Sequence, residues 1–434
     1  METIRFIDLF AGIGGIRKGF ETACVKRGVI PTCVFTSEIK PHAVKILQQN
    51  HPNENITGDI TQVNASDIPD FDFLLAGFPC QAFSAAGKRL GFQDTRGTLF
   101  FDVERILKEK KPYGFVLENV EGLVNHDKEN PKDKIGRTLA TILEHLEMLG
   151  YHVSWRVLNS KVFAVPQERK RIYIVGSLKS APSLEKFEKK RRTLEDVLES
   201  GLPTSDSKFV RLLLDHYTID ELQGKSIKDK RGGENNIHSW DIEYKGPVSD
   251  LERDLLNTML KERRKKKWAE EYGILWMDGM PLTEEQIRTF YDCSAFDLKA
   301  TLESLVERGY LKKEHPKQKV GNQRIQDETL PIGYNIVAGK MSFEVSKVLH
   351  PKEIAPTLVA MDMQHLYVTD GDGIRTLSLR EGLRLFGYPD TFKFDIEKDL
   401  GYDLLGNTVV VPVIAEVSGR VLDLYIRDNN EVIV

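Results

Sequence analysis

Short apolar runs alternate with amphipathic segments through the first 178 residues of the chain. The apolar runs predict strands at 4–10, 32–36, 72–76, 114–117, 152–157 and 171–176. Segments with helical spacing lie between them and predict helices at 15–25, 41–50 and 137–149. Strands that alternate with helices indicate a mostly parallel sheet with helices on both faces. The expected fold class is therefore α/β.

This alternation is lost at about residue 180 and resumes at about 373. The middle portion has Thr283 as the expected N-cap of one helix, a second helix at 297–308 and a basic strand at 310–313. That order is compatible with a winged helix-turn-helix and equally with an ordinary helical hairpin. Helices are predicted again at 376–386 and 409–425. We therefore expect one domain from 1–179 with 373–434, and a second, smaller mixed domain from 180–372.

Composition limits the class of protein. With 41% hydrophobic and 29% charged residues, the 434-residue chain resembles a soluble globular protein. It has no apolar run of the roughly 20 residues that a membrane span needs, and its start lacks the features of a signal peptide. The four cysteines are scattered and include no CxxC pair. A cytoplasmic protein without metal, disulfides or a membrane partner is expected.

The net charge of −4 argues weakly against a protein that coats nucleic acid. Phosphate contacts need only local clusters of Lys and Arg, and 261–267 (KERRKKK) and 186–192 are such clusters. Each cluster on its own is more simply explained as a solvated helix face.

Cys80 follows the predicted strand 72–76 and stands directly between Pro79 and Gln81. In open α/β sheets the loop after a strand is the usual place for catalytic groups. Because thiolates are strong nucleophiles near neutral pH, Cys80 is a candidate nucleophile, although most isolated cysteines are buried structural residues.

A glycine turn with Gly12 and Gly14 follows the first strand. A dinucleotide fingerprint would need a third glycine at position 17, where this chain has Arg17. That difference disfavours a pyrophosphate cofactor and leaves a nucleoside-type cofactor open. Glu38, after the second strand, is a candidate acceptor for ribose hydroxyls, and Asp59 for an adenine amino group.

Glu118 ends the predicted strand 114–117, and Arg169 and Arg171 alternate at the start of a later one. Burial at a strand end should raise the pKa of Glu118, which could then donate a proton. The arginines could anchor an anion or pair with Glu118.

Taken together, these elements resemble DNA cytosine-5 methyltransferases of the bacterial restriction–modification type. The matching elements in chain order are DLFAGIGG at 8–15, Glu38, GDI at 58–60, GFPCQAFS at 77–84, RGTLFF at 96–101, ENV at 118–120, QERKR at 167–171, RTLSLRE at 375–381 and GNTVVVP at 406–412. The resemblance implies a Rossmann-like methyltransferase domain at 1–179 and 373–434. It also implies a target recognition domain at 180–372.

For the chemistry, the resemblance implies that Cys80 adds to carbon 6 of a cytosine flipped out of double-stranded DNA. Glu118 would hold ring nitrogen 3 and the exocyclic amine, Arg169 would orient the base, and Arg171 would support Glu118. The implied methyl donor is S-adenosyl-L-methionine, with S-adenosyl-L-homocysteine as product. Its expected contacts are Phe10, Gly12, Gly14, Glu38, Asp59, Pro79, Leu99, Asn407 and Val409.

The implied DNA contacts are Gln81, Ser84, Lys88, Arg89, Arg96 and Thr357. Two departures from the family pattern stand out: Ala85 and Ala86 are small where relatives often carry a polar side chain, and Ile39 stands where some place tryptophan. A monomer and a partner restriction endonuclease for the same site are expected.

Three other functions stay open at this point. The tRNA-methylating branch shares the motifs, although its recognition insert is usually smaller. A DNA-binding protein without activity is disfavoured by the intact Cys80 and Glu118, and a nicotinamide-dependent oxidoreductase by Arg17.

Overall fold

The computed structural model describes residues 3–78, 99–230, 232–275, 278–294, 296–321, 323–338 and 343–431. The chain divides into two compact units. The first comprises Met1–Glu199, Lys352–Gln364 and Leu377–Val434, and the second Ser200–Pro351 and His365–Thr376.

The boundaries between the two units differ from the domain boundaries expected between residues 179 and 180 and between residues 372 and 373. Residues 180–199 and 352–364 belong to the first unit because backbone hydrogen bonds attach them there, from Leu194 N to Glu353 O and from Ala355 N to Pro166 O. Residues 373–376 belong to the second unit, where they form a strand.

The helices and strands follow in chain order. The first unit begins with β1 (Thr3–Leu9), α1 (Gly15–Val25), β2 (Ile30–Ser37), α2 (Pro41–Asn50), β3 (Ile56–Thr57), β4 (Phe73–Ala76), α3 (Leu99–Lys110), β5 (Gly114–Val120), α4 (Arg137–Met148), β6 (His152–Asn159) and β7 (Lys170–Ser177). The second unit contains α5 (Lys208–His216), α6 (Ile219–Leu222), β8 (Ser226–Ile227), β9 (Asn236–Ile237), α7 (Asp250–Glu262), α8 (Lys267–Glu271), α9 (Glu284–Arg288), α10 (Leu298–Glu307), β10 (Leu311–Glu314), β11 (Lys317–Val320), β12 (Gln323–Gln326), β13 (Gly333–Ile336), β14 (Lys347–Val348), β15 (Leu366–Asp370) and β16 (Gly373–Thr376). The first unit ends with α11 (Leu379–Leu385), α12 (Lys398–Asn407) and α13 (Val411–Glu431).

The large sheet of the first unit has the strand order β3-β2-β1-β4-β5-β7-β6. Pairing is parallel from β3 to β5 and antiparallel between β5 and β7 and between β7 and β6. The sheet is thus mixed, and the mostly parallel prediction holds for its β3-to-β5 part. Each predicted strand is present with small shifts at its ends.

One of those shifts concerns the site. The strand predicted at 114–117 continues to Val120, because β7 provides antiparallel partners along its whole length. Glu118 therefore lies within β5, opposite Tyr173, and does not follow the strand.

The helices of the first unit agree closely with their patterns. Both α1 and α2 have the predicted bounds. The helix predicted at 376–386 begins later, at Leu379, because Ser378 caps it in a reciprocal pair with Glu381. Nowhere in the described ranges is a helix long and apolar enough to span a membrane.

The second unit contains small sheets. Its mixed sheet has the order β16-β15-β14-β8-β9, β10 pairs antiparallel with β13, and β11 pairs antiparallel with β12. Thr283 caps α9 as predicted, and its side chain accepts from Gln286 N. Leu282, just before this cap, exchanges two backbone hydrogen bonds with Tyr334 of β13.

The basic run 261–267 in this unit is engaged mainly within the protein. Arg263 is buried and donates to Asn335 Oδ1 at 2.5 Å, and Arg264 pairs with Asp278 at 2.6 Å. Lys265 pairs with Glu262. This arrangement favours the solvated, internally paired interpretation of the run over phosphate binding.

Candidate functional site

The carboxyl ends of β1, β2, β4 and β5 lie side by side at one edge of the large sheet, and β1 leads there into the glycine turn. Phe10, Gly12 and Gly14 all have positive φ, at 53°, 56° and 81°. For Phe10 that conformation is strained, which is typical of a functional turn. A Cβ on Gly12 would meet none of the described residues within 4 Å, so the described part of the chain leaves space beside the backbone of the turn.

The other side of the turn is tightly packed. A Cβ on Gly15 would come within 2.6 Å of Tyr388 Oη and 2.8 Å of Val409 Cγ2. Val409 therefore lies at the start of α1, and its contact with the cofactor stays a prediction. Asn407 is exposed, and its Nδ2 donates to Asp403 O at 2.8 Å within α12. Leu99 is the first residue of α3.

Glu38 holds the glycine turn in place. Its Oε2 accepts from Gly12 N–H at 2.6 Å, and its Oε1 accepts from Lys40 N–H at 2.8 Å. Asp59 caps a short 3₁₀ helix by accepting from Thr61 N–H at 2.9 Å. Each carboxylate has room for further donors, since its two oxygens offer about four acceptor positions.

Ile39 follows Glu38 and is 69% exposed. An isoleucine exposed to this degree, beside a turn that borders open space, offers an apolar surface for a flat ring. Its position agrees with that expected for the residue in place of tryptophan.

Asp8 is a site group that the sequence reasoning did not single out. It is fully buried in β1, and neither of its carboxylate oxygens has a hydrogen-bond partner among the residues described. Burial raises its pKa to about 8, against the lowering effect of the Arg17 charge. The signal was available, because Asp8 is the only acidic residue in the predicted strand 4–10 that leads into the turn.

Arg17, which takes the place of the third glycine, has a structural task. It is buried and forms a two-pronged ion pair with Glu54 at 2.5 and 2.6 Å, and it also pairs with Glu21 at 2.7 Å. These bonds join α1 to the segment after α2.

Glu118 and Arg171 form the expected ion pair. Arg171 Nε lies 3.2 Å from Glu118 Oε1, and the two side chains are only 15% and 11% exposed. Burial raises the pKa of Glu118, while the charges of Arg171 and then Arg169 oppose the rise. A carboxyl group in this environment can carry a proton at higher pH than an exposed one.

Arg169 is placed differently from Arg171. Its guanidinium is buried and donates to three backbone carbonyls: Nη1 to Leu358 O at 2.9 Å, and Nη2 to Gly406 O at 3.1 Å and Thr408 O at 2.9 Å. It also lies over the Phe386 ring at 5.2 Å. Burial and the nearby Arg171 lower its pKa to about 10. These contacts favour a positioning role over the expected contact with the base.

Neighbouring residues of the same motif make similar long-range bonds. Gln167 is fully buried, and its Nε2 donates to Leu385 O at 3.0 Å. Thr357, an expected DNA contact, donates its hydroxyl to Glu168 O at 2.6 Å. The segment 355–358 thus lies along 166–169, within the first unit.

The chain leading toward Cys80 lies beside Glu118. Asn119 Nδ2 donates to Phe78 O at 3.0 Å, and a Cβ on Gly77 would lie 3.8 Å from Glu118 Oε2. The Asn119 bond was not foreseen, although the residue stands in the ENV motif. Other expected site residues lie outside the described residues, namely Pro79, Cys80, Gln81, Ser84, Lys88, Arg89 and Arg96. In the part of the chain that is described, no group of three or more His, Cys, Asp or Glu side chains is arranged to hold a metal ion.

Comparison with known proteins gives consistent results. Residues 4–423 match the family model of C-5 cytosine-specific DNA methylases. The chain is 65% identical over 422 residues to the type II methyltransferase M.NlaIV of Neisseria lactamica, covering 97% of this chain and 99% of that protein. It is 64% identical, with the same coverage, to M.NgoBV of Neisseria gonorrhoeae. The solved structure of Dnmt2 methyltransferase from S. pombe matches 97% of this chain and 99% of that chain with a TM-score of 0.53 at 15% identity, a similarity of fold alone.

Proposed function

The chain belongs to the C-5 cytosine-specific DNA methylases, and we propose that it acts as the modification enzyme of a type II restriction–modification system through a covalent adduct of Cys80. The reaction is transfer of a methyl group to carbon 5 of cytosine in DNA. The chain is 65% and 64% identical to M.NlaIV and M.NgoBV over nearly its whole length, which supports this function over the tRNA-methylating alternative.

The residues at the sheet edge suit S-adenosyl-L-methionine as the methyl donor. The open space over Gly12, the exposed Ile39 and the acceptors Glu38 and Asp59 match an adenosine with a small polar tail. The unpartnered carboxyl of Asp8 lies in the strand that leads to the same turn. We propose that Phe10, Gly14 and Val409 complete this site, and that the donor, when bound, supplies an electrophilic methyl group.

The residues of the chain would activate the base in two steps. The Cys80 thiolate forms a bond to carbon 6, and the electrons of the carbon 5–carbon 6 double bond move into the ring. Glu118 gives a proton to nitrogen 3 and so offsets the negative charge that the addition creates. After methyl transfer, a solvent base removes the proton from carbon 5, the electrons of that bond restore the carbon 5–carbon 6 double bond, and the thiolate leaves carbon 6. Nitrogen 3 then returns its proton to Glu118.

The observation that carries this proposal is the buried Glu118–Arg171 pair beside the chain that leads to Cys80. Arg171 keeps Glu118 oriented, and Asn119 holds the Phe78 carbonyl two residues before Cys80. We propose that Arg169 acts as a positioning residue, because both of its terminal nitrogens donate to backbone carbonyls, and its Nε is buried without a partner among the described residues.

We also propose that the second unit recognises the DNA target, with the first unit as the catalytic one. Gln81, Ser84, Lys88, Arg89 and Arg96 would contact DNA from the segment after Cys80.

The test is bisulfite sequencing of DNA from cells that express the protein. We expect protected cytosines in one short defined sequence, with none in cells that express Cys80→Ala. Purified Cys80→Ser should lose turnover and still bind the donor in a calorimetric titration. Methylcytosine absent from DNA and present in tRNA would refute the proposed function.

A further inference from the structure

We propose that the second unit contains a winged helix whose wing, the hairpin of β11 and β12, contacts the phosphate backbone of the DNA substrate through Lys319 and Arg324. The inference rests on the proposed function, since it names the surface with which the second unit meets DNA.

The order of elements supports the winged-helix assignment. The elements follow in this order: two helices (α7 and the short α8), the Leu282 bridge, two helices (α9 and α10), a strand (β10), a hairpin and a last strand (β13). Leu282 and β10 both pair antiparallel with β13, so that β13 lies between them. The helices pack on this small sheet in a core that includes Leu255, Leu302 and Tyr310.

In helix-turn-helix proteins the second helix of the motif meets the DNA groove, and here that helix is α10. Its charges nearly cancel. Lys299 and Glu307 are exposed, Glu303 pairs with Lys313 at 2.5 Å, and Arg308 pairs with Glu252. The helix alone therefore supplies little attraction for phosphate.

The wing has a different charge pattern. Residues directly opposite in an antiparallel pair share one face, and the register sets Lys317 opposite Gln326 and Lys319 opposite Arg324. One face of the wing is therefore cationic. Lys317 is neutralised by Glu314 at 3.1 Å. Lys319 and Arg324 are exposed and have no ion-pair partner within the described ranges.

This arrangement is unfavourable without an anion. Like charges directly opposite in a sheet repel each other. Among the described strands, β11 and β12 pair only with each other, and all four side chains of β12 are exposed, so little packing compensates for the repulsion. Two-stranded hairpins are marginally stable alone. A phosphate group between Lys319 and Arg324 would convert the repulsion into attraction.

The experiment compares two double variants of the full-length protein. Lys319→Gln with Arg324→Gln removes the proposed contacts. Lys261→Gln with Lys266→Gln removes the same charge from exposed lysines elsewhere in the second unit. Fluorescence anisotropy measures binding to two 30-base-pair duplexes over a range of salt concentrations. One duplex has a random sequence, and the other carries the unmethylated target sequence that bisulfite sequencing identifies.

The expected result follows from counterion release. The logarithm of the binding constant falls as the logarithm of the salt concentration rises, and each phosphate contact makes this slope steeper by about 0.9. The slope of the wing variant, which lacks two contacts, should therefore be less steep by about 2. Between 50 and 200 mM salt the wild-type protein should then weaken roughly tenfold more than the wing variant. Both duplexes should respond alike, because phosphate contacts carry no sequence information.

Three outcomes would overturn the inference: an unchanged slope in the wing variant, an equal drop in the Lys261/Lys266 variant, or a loss confined to the duplex with the target sequence. Lys319→Arg with Arg324→Lys should keep the wild-type slope, which separates loss of charge from a folding defect. Methyl transfer by the wild-type protein to the same duplex tests the proposed function separately.

Discussion

Replacement of Arg169 by lysine should lower the temperature at which the first unit unfolds, and Arg171→Lys should leave that temperature nearly unchanged. The Arg169 guanidinium donates to the carbonyls of Leu358, Gly406 and Thr408, which come from two distant parts of the chain. A lysine ammonium is a single point and cannot reproduce this planar fork, so at least two carbonyls would lose their donor. Arg171 has a carboxylate partner that an ammonium can also approach.

The magnitude follows from the number of bonds lost. A hydrogen bond with a charged donor contributes about 1.5–3 kcal/mol, so the loss of two lowers the free energy of unfolding by about 3–6 kcal/mol. For a unit of this size the midpoint of thermal unfolding should fall by roughly 5–10 °C. Arg171→Lys should change it by less than about 3 °C.

The assay is differential scanning calorimetry of both variants without ligand, combined with steady-state methyl transfer. A positioning role for Arg169 requires the large drop in unfolding temperature. If Arg169→Lys unfolded like the wild-type protein and lost turnover, Arg169 would contact the base and the positioning role would be refuted.

Further predictions concern charge and cofactor contacts. Arg171→Gln removes the main charge that opposes the raised pKa of Glu118. Glu118 should then stay protonated to higher pH, and the alkaline limb of the plot of kcat/KM against pH should move to higher pH. An unmoved limb would mean that Glu118 does not act as the acid. Because the folded pKa of Asp8 is about 8, above its unfolded value of 3.8, its contribution to stability is present below about pH 4 and is lost as pH rises through 8. Without the donor, the unfolding temperature of the wild-type protein should therefore fall more between about pH 4 and pH 8 than that of Asp8→Asn. Parallel curves of unfolding temperature against pH for the two proteins would contradict the raised pKa of Asp8. Ile39→Ala should weaken donor binding several-fold in calorimetric titration by removing about 1–2 kcal/mol of apolar contact. Ile30, the first residue of β2 and 44% exposed, lies at the end of that strand away from Ile39, so Ile30→Ala is the matched control and should not weaken binding.

Local patterns predicted local structure well. The bounds of α1 and α2 and the capping role of Thr283 follow from periodicity and from capping residues, which depend on neighbours a few positions away. The motif around Cys80 indicated the chemistry, because its residue types are those that the reaction needs.

Contacts between distant segments were less predictable. Glu118 and Arg171 meet because β5 pairs antiparallel with β7, a register that no local pattern encodes. The prediction that Arg169 orients the base came from the resemblance of the motif QERKR at 167–171. Its bonded carbonyls are 189 to 239 residues away, and they determine which of its atoms remain available.

The basic residues illustrate the same limit. The run 261–267 is the densest cluster of charge in the sequence, yet folding places Arg263 and Arg264 in internal bonds. Lys319 and Arg324 are inconspicuous in the sequence and become neighbours only through the register of the hairpin.

The sequence by itself determined the fold class and the family, and it predicted the reacting groups, because these depend on residue type and on short-range spacing. Only the tertiary structure decided which backbone carbonyls Arg169 binds, and which cations of the second unit have no ion-pair partner among the described residues. Those outcomes depend on strand order and register, which result from packing across the whole chain.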